Sequence, residues 1–534
     1  MTDQRPFPGI AFRLAGFASA AAIACASAAA AQDTGTVTIG RTSDADRYDP
    51  QRSSALAAAE VLYMIGDTLV TLSSDLKTVE PALAESWDIS EDGLTYTFHL
   101  KEGVTFCDGK AFTAQDVVGS MERWLTPDGP YVSTWKAGTV DSITAPDDMT
   151  VVYKLKAPSS GLLYQMAQFN FIIIDPEQAE SLGDDFGVTA FNGTGPFCFE
   201  SWTPNDSVVL SAHEGYSWGS PALGNTGPAK VDRVVWKIVP EEATLAASLQ
   251  AGEIDASYSL PAWSIAQFDA DPSVTLLQPE AAFRTHYLGM KVTRDFMQDI
   301  RVREAVSHAI DQSAIAEAIF FGTVEPTESY YAKEALDYDP SIDTAPFAYD
   351  PAKTETLLTE AGFTKGDDGF WQKDGTPLTL TYYGFNTSRE QAETVQGDLR
   401  KAGIELNVEL YDSTAIWAKL REQTYDLYQM DYPYLNAGDA LNLYFSSASV
   451  PSPNRMMWED EETDRLLEAG NSAVNAEARA EAFMALGKHL HEAILWKPLL
   501  LEKPTIAIGP RLVPFEPAGI SGAAFGTGLN LELQ

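Results

Sequence analysis

Residues 81–124 read PALAESWDISEDGLTYTFHLKEGVTFCDGKAFTAQDVVGSMERW, and the alternation inside them decides the fold. In TYTFHL, Tyr96, Phe98 and Leu100 alternate with Thr95, Thr97 and His99, the period of a strand with one buried face. Glu91-Asp92-Gly93 and Cys107-Asp108-Gly109 supply turn chemistry on either side. Thr113 then caps a helix with Asp116 in its first turn, and that helix buries Val117, Val118 and Met121.

Working outward, VTIG (37–40) reads as a first strand and Ala55 to Met64 as a helix. After Phe283, RTHYLGMKV is a strand, and Asp299 caps a helix burying Val302, Ala305, Val306, Ala309 and Ile310 at helical spacing. In YDPAKTETLLTEAGF, Asp350 takes the N-cap, Pro351 the first helical position and Gly362 the place just past the end. LTLTYYGF (378–385) is a strand. Thr387 or Ser388 caps the next helix, with Glu390 or Gln391 closing a capping box, and IELNVEL (404–410) follows as a strand. Strand, helix, strand with short joints implies a right-handed parallel crossover.

The pieces PALAESW, DGLTYTFHLKEGVTFCDGK and FTAQDV, in this order and spacing, resemble the signature of the periplasmic oligopeptide-binding family of solute receptors, extracellular solute-binding family 5 of ABC importers. GTGPF (193–197), the step from ATLAASLQA to GEID, and DIRVREAVSHAID extend the resemblance over nearly the whole chain. It implies an α/β, two-lobed, Venus-flytrap fold of class II type with an extra subdomain in the first lobe. The first lobe would take 32–285 plus 505–534, with the subdomain inserted at about 81–185, and the second lobe 286–504. It also implies a receptor that captures an oligopeptide, opine or oligosaccharide type of solute between its lobes. The receptor then hands that solute to permease subunits in the inner membrane. A monomer without cofactor is expected.

Composition bounds the compartment and the partners. Arg5 and Arg13, the apolar run Leu14 to Ala24 and small residues through Ala31 read as an export signal over 1–31, so the protein is expected in the periplasm. A lipid anchor at Cys25 is the lesser alternative, because AIAC carries Ala22 where a lipoprotein signal usually has Leu. With the signal removed, Cys107 and Cys198 remain as an even pair in an oxidising compartment, and a disulfide is expected. Two buried free thiols are the alternative. Thirty-six basic against 76 acidic residues exclude nucleic acid as a partner, because phosphate binding needs a basic face.

Catalytic signatures are thin. The chain has no GxSxG, GxxxxGK[ST] or HExxH motif, and His489 and His491 stand two apart on a helix, pointing to different faces. No metal site is expected. A secreted hydrolase of saccharide or peptide, built on carboxylates brought together by folding, is the alternative function.

The binding reading rests on MDYPYLNAGDALNLYF (430–445). In peptide-binding relatives the matching loop carries an Asp that anchors the ligand's amino terminus. Here Leu435 takes that place, which speaks against an α-amino peptide, and Asp439 substitutes only if the loop is rearranged. Tyr432, Tyr434 and Asn436 offer flat apolar faces with polar tips. The resemblance adds Tyr48 after the first strand, and Tyr131 and Trp135 in the subdomain. Tyr383, Phe385 and Asn386 end a strand, and Trp417 and Arg421 lie on the next helix, where a guanidinium would hold a carboxylate at two points. Arg284 stands at the lobe crossing, where a hinge salt bridge is the favoured reading.

Overall fold

The computed structural model describes residues 35–412 and 414–534. The export signal over 1–31, and the Cys25 anchor with it, lie outside the described residues.

Two large mixed sheets organise the chain. The first has seven strands, centred on Thr36–Arg41, which runs parallel to Arg233–Ile238 in the register Val37 to Val234 and parallel to Ala256–Ser257. The hairpin Phe197–Thr203 and Ser207–Ala212 extends one side antiparallel. On the other side Ile506–Ile508, from the end of the chain, inserts antiparallel between Ala256–Ser257 and Thr275–Leu277. The second sheet has six strands. Phe283–Met290 lies between Trp496–Leu501 and Leu427–Tyr434, followed by Thr379–Phe385 and Glu405–Tyr411. Thr379–Phe385 and Glu405–Tyr411 run parallel on either side of helix Arg389–Lys401, the strand–helix–strand unit the sequence predicts. Its capping box does not form. A turn of 3-10 helix over Asn386–Ser388 leads straight into the helix, and buried Gln391 accepts from Gln429 at 3.1 Å instead.

The diagnostic stretch folds as its pattern dictates. Thr95–Leu100 buries Tyr96, Phe98 and Leu100, and the N-terminal Asp116 of helix Ala114–Trp124 accepts from the Thr113 amide at 2.9 Å. That strand joins Ala84–Ile89, Thr150–Leu155 and Val140–Asp147 in a four-stranded antiparallel sheet. Its buried face and the helix close a separate apolar core around Phe98, Met121, Trp124 and Phe171, so this part has a core of its own.

Two features tie the elements around the first large sheet together, and the second of them fastens this unit to it. In GTGPF, a Cβ on Gly193 would strike the Ile65 carbonyl and one on Gly195 the backbone of Ile65 and Gly66. Only glycine lets this turn lie against the end of helix Leu56–Ile65. Beside it the expected bridge is formed: Cys107, in the turn before helix Ala114–Trp124, is bonded to Cys198 at the start of Phe197–Thr203, with Cα atoms 5.8 Å apart. His213 lies within 4.8 Å of both sulfurs, but these are bonded to each other and offer no thiolate. The bridge closes a separation of 91 residues. Replacing both cysteines with serine is expected to lower the unfolding free energy by about 2–4 kcal/mol, read from urea denaturation.

Candidate ligand-binding site

A crevice separates the two large sheets. One chamber, of about 290 Å³, has Ser133, Trp135, Lys136, Gln168, Phe169 and Asn170 on one wall, and Tyr432 to Leu435 with Asp439 on the other. A second, of about 450 Å³, is lined by Glu60, Tyr258, Phe283, Arg284, Phe320 and Glu502 among others. Leu56, Pro433, Ile520 and Ser521 line both, so the two chambers adjoin across these residues.

Strand Leu427–Tyr434 delivers the first aromatic wall. Two positions apart on a strand, Tyr432 and Tyr434 share a face, with ring centroids 6.2 Å apart. Tyr434 stacks on Phe283 at 5.6 Å and its hydroxyl accepts from the Ala332 amide at 2.7 Å, while Tyr432 meets Tyr444 edge-on at 4.9 Å. The chain then turns into helix Ala437–Phe445. Asn436 is its N-cap, accepting from the Asp439 amide at 3.0 Å and from Arg479 at 2.8 Å, so its side chain is spent on structure. Asp439, in the first turn of that helix, lines the chamber.

The Asp439 carboxylate accepts from the Leu435 amide at 3.0 Å and from Gln165, on the facing wall, at 3.1 Å. Burial pushes its carboxyl upward, against those hydrogen bonds and the pull of Lys136. Lys136 itself stands on a single turn, Thr134–Ala137, beside half-exposed Trp135. Its ammonium donates to Gln168 at 2.6 Å and Asn170 at 3.1 Å, and Asn170 is fixed in turn by donating to the Pro50 carbonyl at 2.8 Å. Desolvation lowers Lys136 to about 8, with Asp439 resisting. An ammonium has three protons to give, and two neutral amides take two of them.

The crossing between the sheets carries its own charges. Arg284 donates to Asp431 at 2.6 Å and lies 3.6 Å from Glu502, which pairs with His286 at 2.7 Å. The favoured hinge reading of Arg284 agrees with this geometry. Burial opposes ionisation of Glu502, yet His286 and Arg284 bring it down to about 2.

Of the twelve residues predicted from sequence, Trp135, Tyr432, Tyr434 and Asp439 converge on one chamber. The rest do not. Tyr48 is fully buried, its hydroxyl held by Arg41 at 2.8 Å and its ring against Trp202 at 5.1 Å. Tyr131 turns its ring under Arg123. Tyr383 is buried with its hydroxyl bonded to Thr424 at 2.7 Å, Phe385 packs on Trp417, Trp417 carries Arg455 at 5.3 Å, and Asn386 and Arg421 are exposed elsewhere. The register explains this group. Tyr382 pairs with Leu427, so Thr379–Phe385 stops while its neighbour runs on to Tyr432 and Tyr434 at the crevice. Lys136, Gln168, Asn170 and Glu60 were missed. The two histidines of the last long helix are structural: His489 pairs with Asp460, and buried His491 accepts from the Tyr330 amide at 3.1 Å.

Gln165 to Asp439 is joined by two further links across the crevice mouth, the Ser160 amide to the Asn471 carbonyl at 2.8 Å and the Ser160 hydroxyl to the Gly470 carbonyl at 2.7 Å. These bonds exist only while the walls are together. Gln165→Ala is expected to lower solute affinity about tenfold by removing one such bond, with the melting temperature nearly unchanged; calorimetric titration and thermal melts would show it.

Comparison with known proteins gives a consistent picture. Residues 78–451 match the family model described as bacterial extracellular solute-binding proteins, family 5 middle. Heme-binding protein A of Haemophilus influenzae is 29% identical over 473 residues, 83% of each chain. The glutathione-binding protein GsiB of Pectobacterium atrosepticum is 30% identical over 368 residues, 69% of this chain and 67% of its own. Among solved structures, NikA from Brucella suis in complex with Fe(III)-EDTA superposes with a TM-score of 0.82 at 23% identity, covering 93% of this chain and all (100%) of that one. DppA from Helicobacter pylori in complex with the peptide STSA gives 0.76 at 23% identity, covering 93% and 98%. These are binding proteins, and the hydrolase alternative gains no support from them.

Proposed function

Because the chain belongs to the bacterial extracellular solute-binding proteins of family 5, we propose that it captures a small, carboxylate-bearing solute of amino-acid origin and delivers it to an ABC permease. The fold is the two-lobed α/β architecture of that family's binding proteins. Capture follows from the crevice. A solute that bridges both walls adds contacts available only in the closed form, shifting a hinge equilibrium toward it.

The observation that carries the carboxylate is Lys136. A half-buried ammonium with two neutral amide partners has a proton left to donate into the chamber. A carboxylate there would take that bond and offset the desolvation that now lowers the lysine. Trp135 and Tyr432 flank the position as apolar walls, and Asp439 lies across from it. Glutathione, the solute in the name of one relative, is a compound of this class.

The lobe limits proposed are 32–285 with 505–534 for the first and 286–504 for the second, the segment about 81–185 forming the inserted subdomain. Sheet membership supports them. No strand before Leu277 belongs to the six-stranded sheet and none from Phe283 to Leu501 belongs to the seven-stranded one, which Ile506–Ile508 rejoins; the smaller sheets each fall wholly on one side of that division. The first crossing then falls between Leu277 and Phe283. No helix among the described residues is long and apolar enough to cross a membrane. We read the receptor as an exported monomer, with an acidic surface unsuited to nucleic acid.

The test is titration calorimetry with small-angle scattering over glutathione, short peptides, opines and oligosaccharides. Carboxylate-bearing solutes are expected to bind and compact the protein. Lys136→Met should lose about tenfold or more in affinity for them. Wild-type affinity should also fall as pH rises through about 8, where Lys136 gives up its proton. Binding of neutral sugars alone, or carboxylate binding indifferent to Lys136, would overturn the assignment.

A further inference from the structure

The larger chamber holds a group that the first does not explain. Helix Leu56–Ile65, LAAAEVLYMI, is apolar apart from Glu60, and that side chain is 2% exposed at the chamber wall. One of its oxygens accepts from the Ala524 amide, and the other has no hydrogen-bond partner among the described residues. A buried carboxyl oxygen without a donor is costly unless something supplies one. The nearest cation does not. Arg41, wholly buried on the neighbouring strand, gives its two terminal nitrogens to the Ala57 carbonyl, Asp44 and Tyr48, and its Nε, left without a partner among the described residues, makes no hydrogen bond to Glu60. Arg284, in the same chamber, is committed to Asp431 and Glu502.

We propose that Glu60 is a specificity residue of the larger chamber, receiving a planar cationic nitrogen group, a guanidinium, on the solute whose carboxylate Lys136 holds. The proposal rests on the reading of the crevice as a solute site and extends it to the solute's other end. Phe283, Phe320 and Tyr258 line the chamber, and aromatic side chains are favourable neighbours for a flat cation. Glu242 adds a second carboxylate to the wall. The two chambers adjoin at Leu56, Pro433, Ile520 and Ser521, the side on which an extended zwitterion would pass from one to the other.

Protonation gives the proposal a signature of its own. Burial lifts Glu60 to about 8, against the pull of Arg41. The other groups electrostatically linked to it, Tyr63 and Tyr258, are phenols raised far above neutrality, and Asp44 is tied to Arg41. Glu242, Arg284, Glu502 and Lys503 face the same chamber. In the empty receptor near neutral pH, Glu60 therefore carries its proton. An arriving guanidinium favours the carboxylate, and the proton leaves to solvent. Affinity for the cationic solute then rises with pH up to about 8. The lysine works in the opposite direction above that.

The probes are the dipeptides alanyl-arginine and alanyl-citrulline, nearly isosteric but charged only in the first, with glutathione as the carboxylate reference. Calorimetry of the full protein in phosphate and in Tris, near pH 7, reads affinity and proton release together. Alanyl-arginine is expected to bind about tenfold or more tighter than alanyl-citrulline and to release close to one proton, as for a charge-assisted bond on a buried acid. Glu60→Gln should erase the preference, bringing alanyl-arginine down to the affinity of alanyl-citrulline for the same variant, and abolish the proton release. The wild-type proton count needs no variant, so it stands even if the substitution fails to fold. Should glutathione or alanyl-citrulline bind while arginine brings no gain and no proton, the Glu60 assignment falls and the carboxylate reading survives. Should arginine be preferred equally by Glu60→Gln, Glu60 is not the reader. If none of the three binds, the carboxylate reading falls and this one with it.

Discussion

The crevice depends on the chain crossing between its two sheets side by side. At Phe283 the chain enters the second sheet, and after Leu501 it leaves to insert Ile506–Ile508 into the first. The two crossings are bonded to each other: the Glu502 amide donates to the Arg284 carbonyl at 2.9 Å, and the same two side chains pair with Asp431 and His286. Two adjacent strands tied this way bend together but do not separate. Such an arrangement permits rotation of one sheet against the other about a fixed line, the motion a hinge requires.

Charge in the crevice is distributed by what burial tolerates. Lys136 is held by neutral amides, Asp439 by an amide and by Gln165, and Glu60 by one amide on one oxygen. None of the three has a full counter-ion at bonding distance. Each is therefore under-compensated whenever it is ionised, and a solute that brings the complementary charge removes that penalty as the walls close. The ion pair of Arg284 with Asp431 and the hydrogen bond between Glu502 and His286 stand where the chain crosses between the sheets and keep the shape of that crossing. Incomplete pairs face the solute, and satisfied ones face the frame.

Much of the frame was legible from residues alone. Tyr96, Phe98 and Leu100 alternate in sequence and are buried in the structure, and Asp299 and Asp350 cap where their spacing says. Local rules were enough there because those elements obey one period or one cap. The site was harder to read. Tyr383, Phe385 and Trp417 have the right chemistry, but the offset of one strand against the next stops them short of the crevice. Asn436 looked like a ligand group and is a cap. Register and capping partners depend on long-range pairing that no single stretch reveals. Two signals were nonetheless on the page: Lys136 sits beside Trp135, and Glu60 is the lone charge in an apolar helix.

The bridge from Cys107 to Cys198 and the glycine turn against Ile65 have a mechanical meaning beyond stability. The bridge joins the four-stranded piece to the seven-stranded sheet and the glycine turn seats helix Leu56–Ile65 beside that same sheet, so Trp135, Lys136 and Gln165 travel with Leu56 and Glu60 as one jaw. On the proposed reading, opening and shutting involve a single rigid bite, and the grip on both ends of a captured molecule is released in the same stroke.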